Sequence, residues 1–82
     1  MKLVYFASLR ERIGKAEEER DLPADLRSVA DLIGWLSTQD DVYAYAFSGG
    51  FVRAAIDRKY AKPEASIAGA KEIAFFPPMT GG

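Results

Sequence analysis

The residues whose chemistry stands out are the last two, Gly81 and Gly82, at the end of the stretch Phe75 to Gly82, FFPPMTGG. A glycine has no Cβ, so a Gly-Gly end can thread a channel wide enough for backbone alone and present the α-carboxylate of Gly82 with nothing beside it. The candidate reactive group is therefore the C-terminus itself. Pro77 and Pro78 each fix φ and lack an N–H donor, so a strand through Phe75 and Phe76 must stop there. Pro78 also favours extended backbone at Pro77, which sends the chain outward. The four residues Met79, Thr80, Gly81 and Gly82 then form an arm of roughly 13 Å when extended. Chain ends are often small and frayed. A working tail is favoured by the conjunction of an apolar strand, a Pro-Pro stop, a short arm and a Gly-Gly end.

Little else in the chain offers chemistry. It has no cysteine and no histidine, which removes disulfides, thiolate nucleophiles, zinc-finger spacing and the usual general base. Intrinsic catalysis and a resident metal are not expected. Glu17, Glu18, Glu19 and Asp21 could be imagined as a metal or acid/base cluster, but successive strand residues face opposite sides and no second cluster complements them. They read as a charged edge strand that discourages edge-to-edge pairing. Eleven basic residues oppose twelve acidic ones for a net charge of −1, and neither sign forms a long block, which argues against a nucleic-acid footprint. No glycine loop of the phosphate-cradling kind is present.

The body that must hold out this tail is small. Eighty-two residues suffice for one core but not for a roomy enclosed active site as well. With 49% apolar and 28% charged residues the chain has the composition of an ordinary soluble protein, and a cytoplasmic location is expected. The opening MKLVYFAS reads as a strand rather than an export signal.

Residues 2–7 alternate, with Leu3, Tyr5 and Ala7 on one face and Lys2, Val4 and Phe6 on the other. Ser8 and Glu11 fit a capping box opening a short helical loop that ends at Gly14. Residues 16–22 form the acidic edge strand, stopped by Pro23. Ser28 then begins the main helix, where Val29, Leu32, Ile33 and Leu36 form one apolar stripe and Asp31 completes a capping box. Trp35 lies off that stripe and is expected to cover the helix flank. Asp41 is placed as the cap of a short helix over 42–47, with a strand as the competing reading, closed by Ser48, Gly49 and Gly50. From Phe51 to Asp57 the alternation returns, with Val52, Ala54 and Ile56 inward and Phe51, Arg53, Ala55 and Asp57 outward. A turn and a strand of two or three residues around Tyr60 follow. The last strand, 71–76, turns Ile73 and Phe75 inward and Glu72, Ala74 and Phe76 outward. The division is a body of residues 1–76 and an extended tail of 77–82.

Strands one and five each finish their polar parity with a phenylalanine, Phe6 and Phe76. If the two strands are neighbours, those rings share a solvent-facing surface with Tyr60 near the base of the tail. Exposed apolar area of that kind usually marks a partner surface.

The segments VYFASLRE, SVADLIGWL, AAID and EIAFFPPMTGG together resemble the molybdopterin synthase small-subunit family, sulfur carriers with a ubiquitin-like fold, and the resemblance spans essentially the whole chain. It implies an α+β, β-grasp architecture: a mixed sheet with strands one and five parallel and adjacent, one main helix across it, and a flexible Gly-Gly tail. It implies a carrier that is no enzyme on its own. In that family an adenylating, E1-like enzyme uses ATP and magnesium to activate the terminal glycine, and a sulfur donor protein converts it to a thiocarboxylate. The large subunit, which supplies the catalytic side chains, receives the tail and transfers the sulfur to cyclic pyranopterin monophosphate in molybdenum cofactor biosynthesis. On this resemblance Gly81 and Gly82 are the reactive end. Phe6, Tyr60, Phe76, Pro77, Pro78, Met79 and Thr80 are the partner-binding residues, and the chain binds no cofactor, nucleic acid or membrane. Asp57 stands where relatives commonly carry Asn, and Ala70 and Lys71 stand where an acidic pair often precedes the last strand.

Two relatives of the same fold remain as alternatives: the sulfur carrier of the thiazole pathway, usually shorter and without the FFPP lead-in, and a ubiquitin-like protein modifier. A plain interaction domain with an incidental ending is a third, from another class.

Overall fold

The computed structural model describes residues 1–48 and 52–77. In chain order its elements are β1 (Lys2–Tyr5), α1 (Ala7–Ile13), β2 (Glu17–Glu19), α2 (Val29–Gln39), α3 (Asp41–Phe47), β3 (Arg53–Ile56), β4 (Lys59–Ala61) and β5 (Glu72–Phe76). The five strands form one mixed sheet in the order β2-β1-β5-β3-β4. β1 and β5 are parallel and adjacent, with Leu3 opposite Ile73 and Tyr5 opposite Phe75. The other pairings are antiparallel. A parallel pair needs a long crossover, and here that crossover carries the helices over one face. This is a β-grasp arrangement.

The strand parities decide which side is covered. Leu3, Tyr5, Ala54, Ile73 and Phe75 point under the helices and are buried. They meet Leu9 and Ile13 of α1, Val29, Leu32 and Leu36 of α2, and Tyr43, Ala46 and Phe47 of α3. Phe75 stacks on Tyr5 with centroids 6.0 Å apart and meets the edge of Phe47 at 5.3 Å, offset and T-shaped geometries that aromatic pairs favour. α2 opens as its sequence dictates: Ser28 Oγ accepts from the Asp31 amide and the Asp31 carboxylate accepts from the Ser28 amide. Trp35 is half-buried on its flank, with the Arg20 guanidinium 5.8 Å from its ring.

Several boundaries differ from the sequence reading. β1 ends at Tyr5, and Ala7, expected on the inward face, instead opens α1 with φ +52°. The N-cap of α1 is Phe6, without a side-chain cap bond, so the Ser8–Glu11 box does not form. The Phe6 carbonyl accepts from Leu9 and Arg10 instead, and Gly14 closes the helix in the left-handed region as expected. Residues 42–47 are helical, but the cap is Asp40, which accepts from the Val42 amide at 2.9 Å, and Asp41 is the first helical residue. Ala74 is on the outward parity yet buried, because its lone methyl sits between Val4 and Ala55 on the neighbouring strands. Gly49, Gly50 and Phe51 lie outside the described residues. No helix among the described residues is long and apolar enough to cross a membrane.

Glu18 ties the acidic edge strand to the body. Alternation sends Glu17 and Glu19 to the outer face, opposite Val4 and Lys2, and Glu18 inward, opposite Leu3. Its Oε2 accepts from the Tyr5 and Tyr43 hydroxyls, each at 2.6 Å, and its Oε1 accepts from Lys15 Nζ at 3.0 Å. Arg20 Nε lies 3.2 Å from the same oxygen, off the axis of a good hydrogen bond, and completes the set as an ion pair. Burial raises the Glu18 carboxyl pKa, but the bonds from Tyr43, Tyr5 and Lys15 and the charge of Arg20 outweigh burial and bring it down to about 2. Burial, and then the bond to Glu18, hold the Tyr5 phenol well above its ordinary range. The acidic edge strand expected from the sequence thus divides its carboxylates between two faces, and the inward one, Glu18, is a structural clamp.

Candidate functional site

The outer face of the sheet is where the predicted partner residues meet. Phe6 follows β1, Phe76 ends β5, and Tyr60 is the middle residue of β4, opposite Ala55. Because β1 and β5 are adjacent and parallel, both phenylalanines emerge at the same end, where the Phe6 amide donates to the Phe75 carbonyl at 3.0 Å. The Tyr60 ring packs against Phe76 with centroids 5.7 Å apart and a 54° tilt. Phe6 is 50% exposed and Tyr60 82%, while Phe76 is half-buried. The three rings and Pro77, with Ala7, Ala55 and Arg58, border an open hollow of about 420 Å³. An apolar surface this exposed costs solvation free energy that a covering partner recovers.

Pro77 stands at the rim of this hollow, so whatever the chain presents beyond it starts beside the aromatic surface. The remaining predicted site residues, Pro78, Met79, Thr80, Gly81 and Gly82, lie outside the described residues. The opposite end of the outer face is charged: Lys2 Nζ pairs with Glu17 at 3.4 Å and Glu72 at 3.7 Å. Exposed pairs of this kind contribute little but keep that end polar.

The sequence reading placed a turn from Arg58 onward and left Asp57 on the strand, whereas the structure puts the turn at Asp57 and Arg58. These two residues join Ile56 to the facing Lys59 with φ +48° and +73°, the backbone signs of a type I′ hairpin turn. Asp57 Oδ1 accepts from the Lys71 and Glu72 amides at 3.0 and 2.9 Å, and the Asp57 amide donates to the Glu72 carbonyl at 2.9 Å. The turn is thereby sewn to the start of β5. Asp at the first turn position was a usable signal, since Asp tolerates left-handed φ and caps nearby amides. Arg at the second position, where glycine is favoured, left the register of the turn open.

Comparison with known proteins agrees with this architecture. The chain is 32% identical over 82 residues to the molybdopterin synthase sulfur carrier subunit of Escherichia coli, covering 100% of this chain and 99% of that one. It has the same identity and coverage with the sulfur carrier subunit of Haemophilus influenzae. Among solved structures, SAMP1 from Haloferax volcanii superposes with TM-score 0.74 at 24% identity, covering 100% of this chain and 98% of that chain, which speaks to the fold alone. A putative molybdopterin converting factor, subunit 1, from Pyrococcus furiosus superposes with TM-score 0.72 at 25% identity over 95% of each chain. Residues 3–82 match the ThiS family; with a β-grasp body and full-length relatives of this kind, the chain belongs to that family of small ubiquitin-like carriers.

Proposed function

We propose that this chain is the sulfur carrier subunit of molybdopterin synthase, and that its working group is the Gly82 carboxylate. The observation that carries the reading is the 32% identity, over the full length, with two curated carrier subunits of that name. The exposed Phe6 and Tyr60 with the half-buried Phe76, beside Pro77, support it, because a tail that enters another protein gains affinity from a surface docked beside the entrance. With an ordinary α-carboxyl pKa of about 3.3–3.7 the group is ionised at neutral pH and resists nucleophiles. In this reading an adenylating, E1-like enzyme joins the carboxylate to AMP with release of pyrophosphate, using ATP and magnesium that belong to that enzyme. A sulfur donor protein then delivers sulfide to the acyl carbon, AMP leaves, and a thiocarboxylate results.

The large subunit takes in the tail through Pro77, Pro78, Met79 and Thr80, with Gly81 and Gly82 in the narrowest part. The thiocarboxylate sulfur passes to cyclic pyranopterin monophosphate there. The carrier contributes no catalytic side chain in this account, and the transfer takes place in the cytoplasm. Affinity capture with the intact carrier tests the assignment: the large synthase subunit is the expected partner. Recovery of the thiazole-forming enzyme instead, or of lysine-linked conjugates of the carrier, would replace it with the thiazole carrier or the protein modifier.

A further inference from the structure

We infer that Arg58, with Arg53, is a specificity-determining element of the docking face, reading carboxylates on the protein that receives the tail. The inference rests on the proposed carrier role and adds to it the chemistry of the partner's rim. Its first support is backbone geometry. Among the described residues, the non-glycine residues with positive φ are Ala7, Asp57 and Arg58. Ala7 and Arg58 border the hollow that contains Phe6, Tyr60 and Phe76, and Asp57 adjoins it in sequence. Residues held in sparsely populated backbone regions persist where surrounding structure over-determines them, and they gather at functional sites. The second position of such a turn is one where glycine is free of strain and arginine is not. Here an arginine occupies it, in a turn fixed by the Asp57 bonds to Lys71 and Glu72, and borders the hollow.

The second support is charge. Two carboxylates share a surface with Arg58, and neither is within ion-pair distance of it: Asp57 accepts from two backbone amides, and Glu72 pairs with Lys2. Among the described residues the basic side chains that form ion pairs are Lys2, Lys15 and Arg20, and Arg58 and Arg53 are among those that form none. Arg53 is exposed and stands opposite Phe76 in the β3–β5 register. Two guanidiniums with no ion pair among the described residues thus stand around the most exposed aromatic surface, and the acidic strand, β2, lies at the far edge of the sheet. Guanidiniums flanking an apolar centre suit carboxylates on a partner's rim, where charge fixes register and association rate more than it adds bulk affinity. The occupant is a protein, because the hollow is continuous with Pro77 and so with the chain that must enter that protein.

The test is calorimetric titration of the purified large synthase subunit with wild-type carrier, Arg58→Gly, Arg53→Ala and the control Arg27→Ala, each at low and high salt. Glycine relieves the left-handed strain, so Arg58→Gly should melt at the same temperature as wild type or higher, which separates docking from folding. The expected result is an affinity loss of about tenfold for Arg58→Gly at low salt, with a shallower salt dependence, a smaller loss for Arg53→Ala and none for Arg27→Ala. Wild-type affinity and salt dependence in both Arg58→Gly and Arg53→Ala would overturn the inference while leaving the carrier role standing, as would an equal loss in Arg27→Ala. Failure of the wild-type carrier to bind would instead overturn the carrier role and this inference with it.

Discussion

Phe75 and Phe76 are consecutive in β5 and have opposite surroundings: Phe75 is fully buried, stacked on Tyr5, while Phe76 leans on Tyr60 across the outer face. The pair separates the requirement to fold from the requirement to dock. Phe75→Ala opens a cavity in the core and should destabilise by about 3–5 kcal/mol, read by denaturant titration. Phe76→Ala should leave most of the stability and weaken association with the large subunit by about 1–3 kcal/mol. Unchanged binding with a lowered melting temperature would place the Phe76 ring in the core.

Acid stability should report Glu18. Its carboxyl falls from an ordinary 4.5 to about 2 in the folded chain, so the folded state favours the ionised form. The resulting stabilisation is complete above pH 4.5 and is lost as the pH falls through 2, and its size is on the order of 3 kcal/mol. Glu18→Gln should lower the melting temperature at neutral pH and flatten its decline between pH 4.5 and 2. Parallel declines in the two proteins would mean that Glu18 is not the group responsible.

Asp57 holds the hairpin turn to β5 through two amide hydrogens and sits at φ +48°. Asp57→Ala loses both acceptors and should cost about 1–2 kcal/mol. Asp57→Asn keeps an acceptor oxygen and tolerates the left-handed region, so its stability should stay within about 0.5 kcal/mol of wild type. Chemical denaturation of the three proteins decides the point, and equal losses in both variants would contradict it.

Sequence-local signals were the legible ones. Ser28 and Asp31 announced α2 because a capping box is written within four residues, and the period-two parity of Leu3, Tyr5, Ile73 and Phe75 announced the inner face. Ser8 and Glu11 offered the same box and did not form it, because the chain turns off β1 at Ala7 and starts the helix two residues earlier. Asp40 and Asp41 were equal as caps on composition, and only the backbone conformation chose between them. Glu18 could not be singled out from Glu17 and Glu19, since what distinguishes it is Tyr43, 25 residues away. The aromatic surface was legible because Phe6 and Phe76 each broke a polar parity. Arg58 was legible as a turn residue but not as a neighbour of that surface, because arginine where glycine is favoured does not fix a turn's register.

Removing Gly82 separates body from tail. The described core lies within residues 1–77, so the truncated protein should melt at the wild-type temperature, and it should support no molybdopterin formation in a reconstituted synthase assay. Activity in the truncated protein would remove the terminal carboxylate from the mechanism.

The most direct measurement of the central claim is the intact mass of the carrier after incubation with its activating enzyme, ATP, magnesium and a sulfide source. The carrier account predicts replacement of one oxygen by sulfur, mapped by fragmentation to Gly82. An unaltered mass, under conditions where the activating enzyme demonstrably consumes ATP with a known carrier, would contradict it.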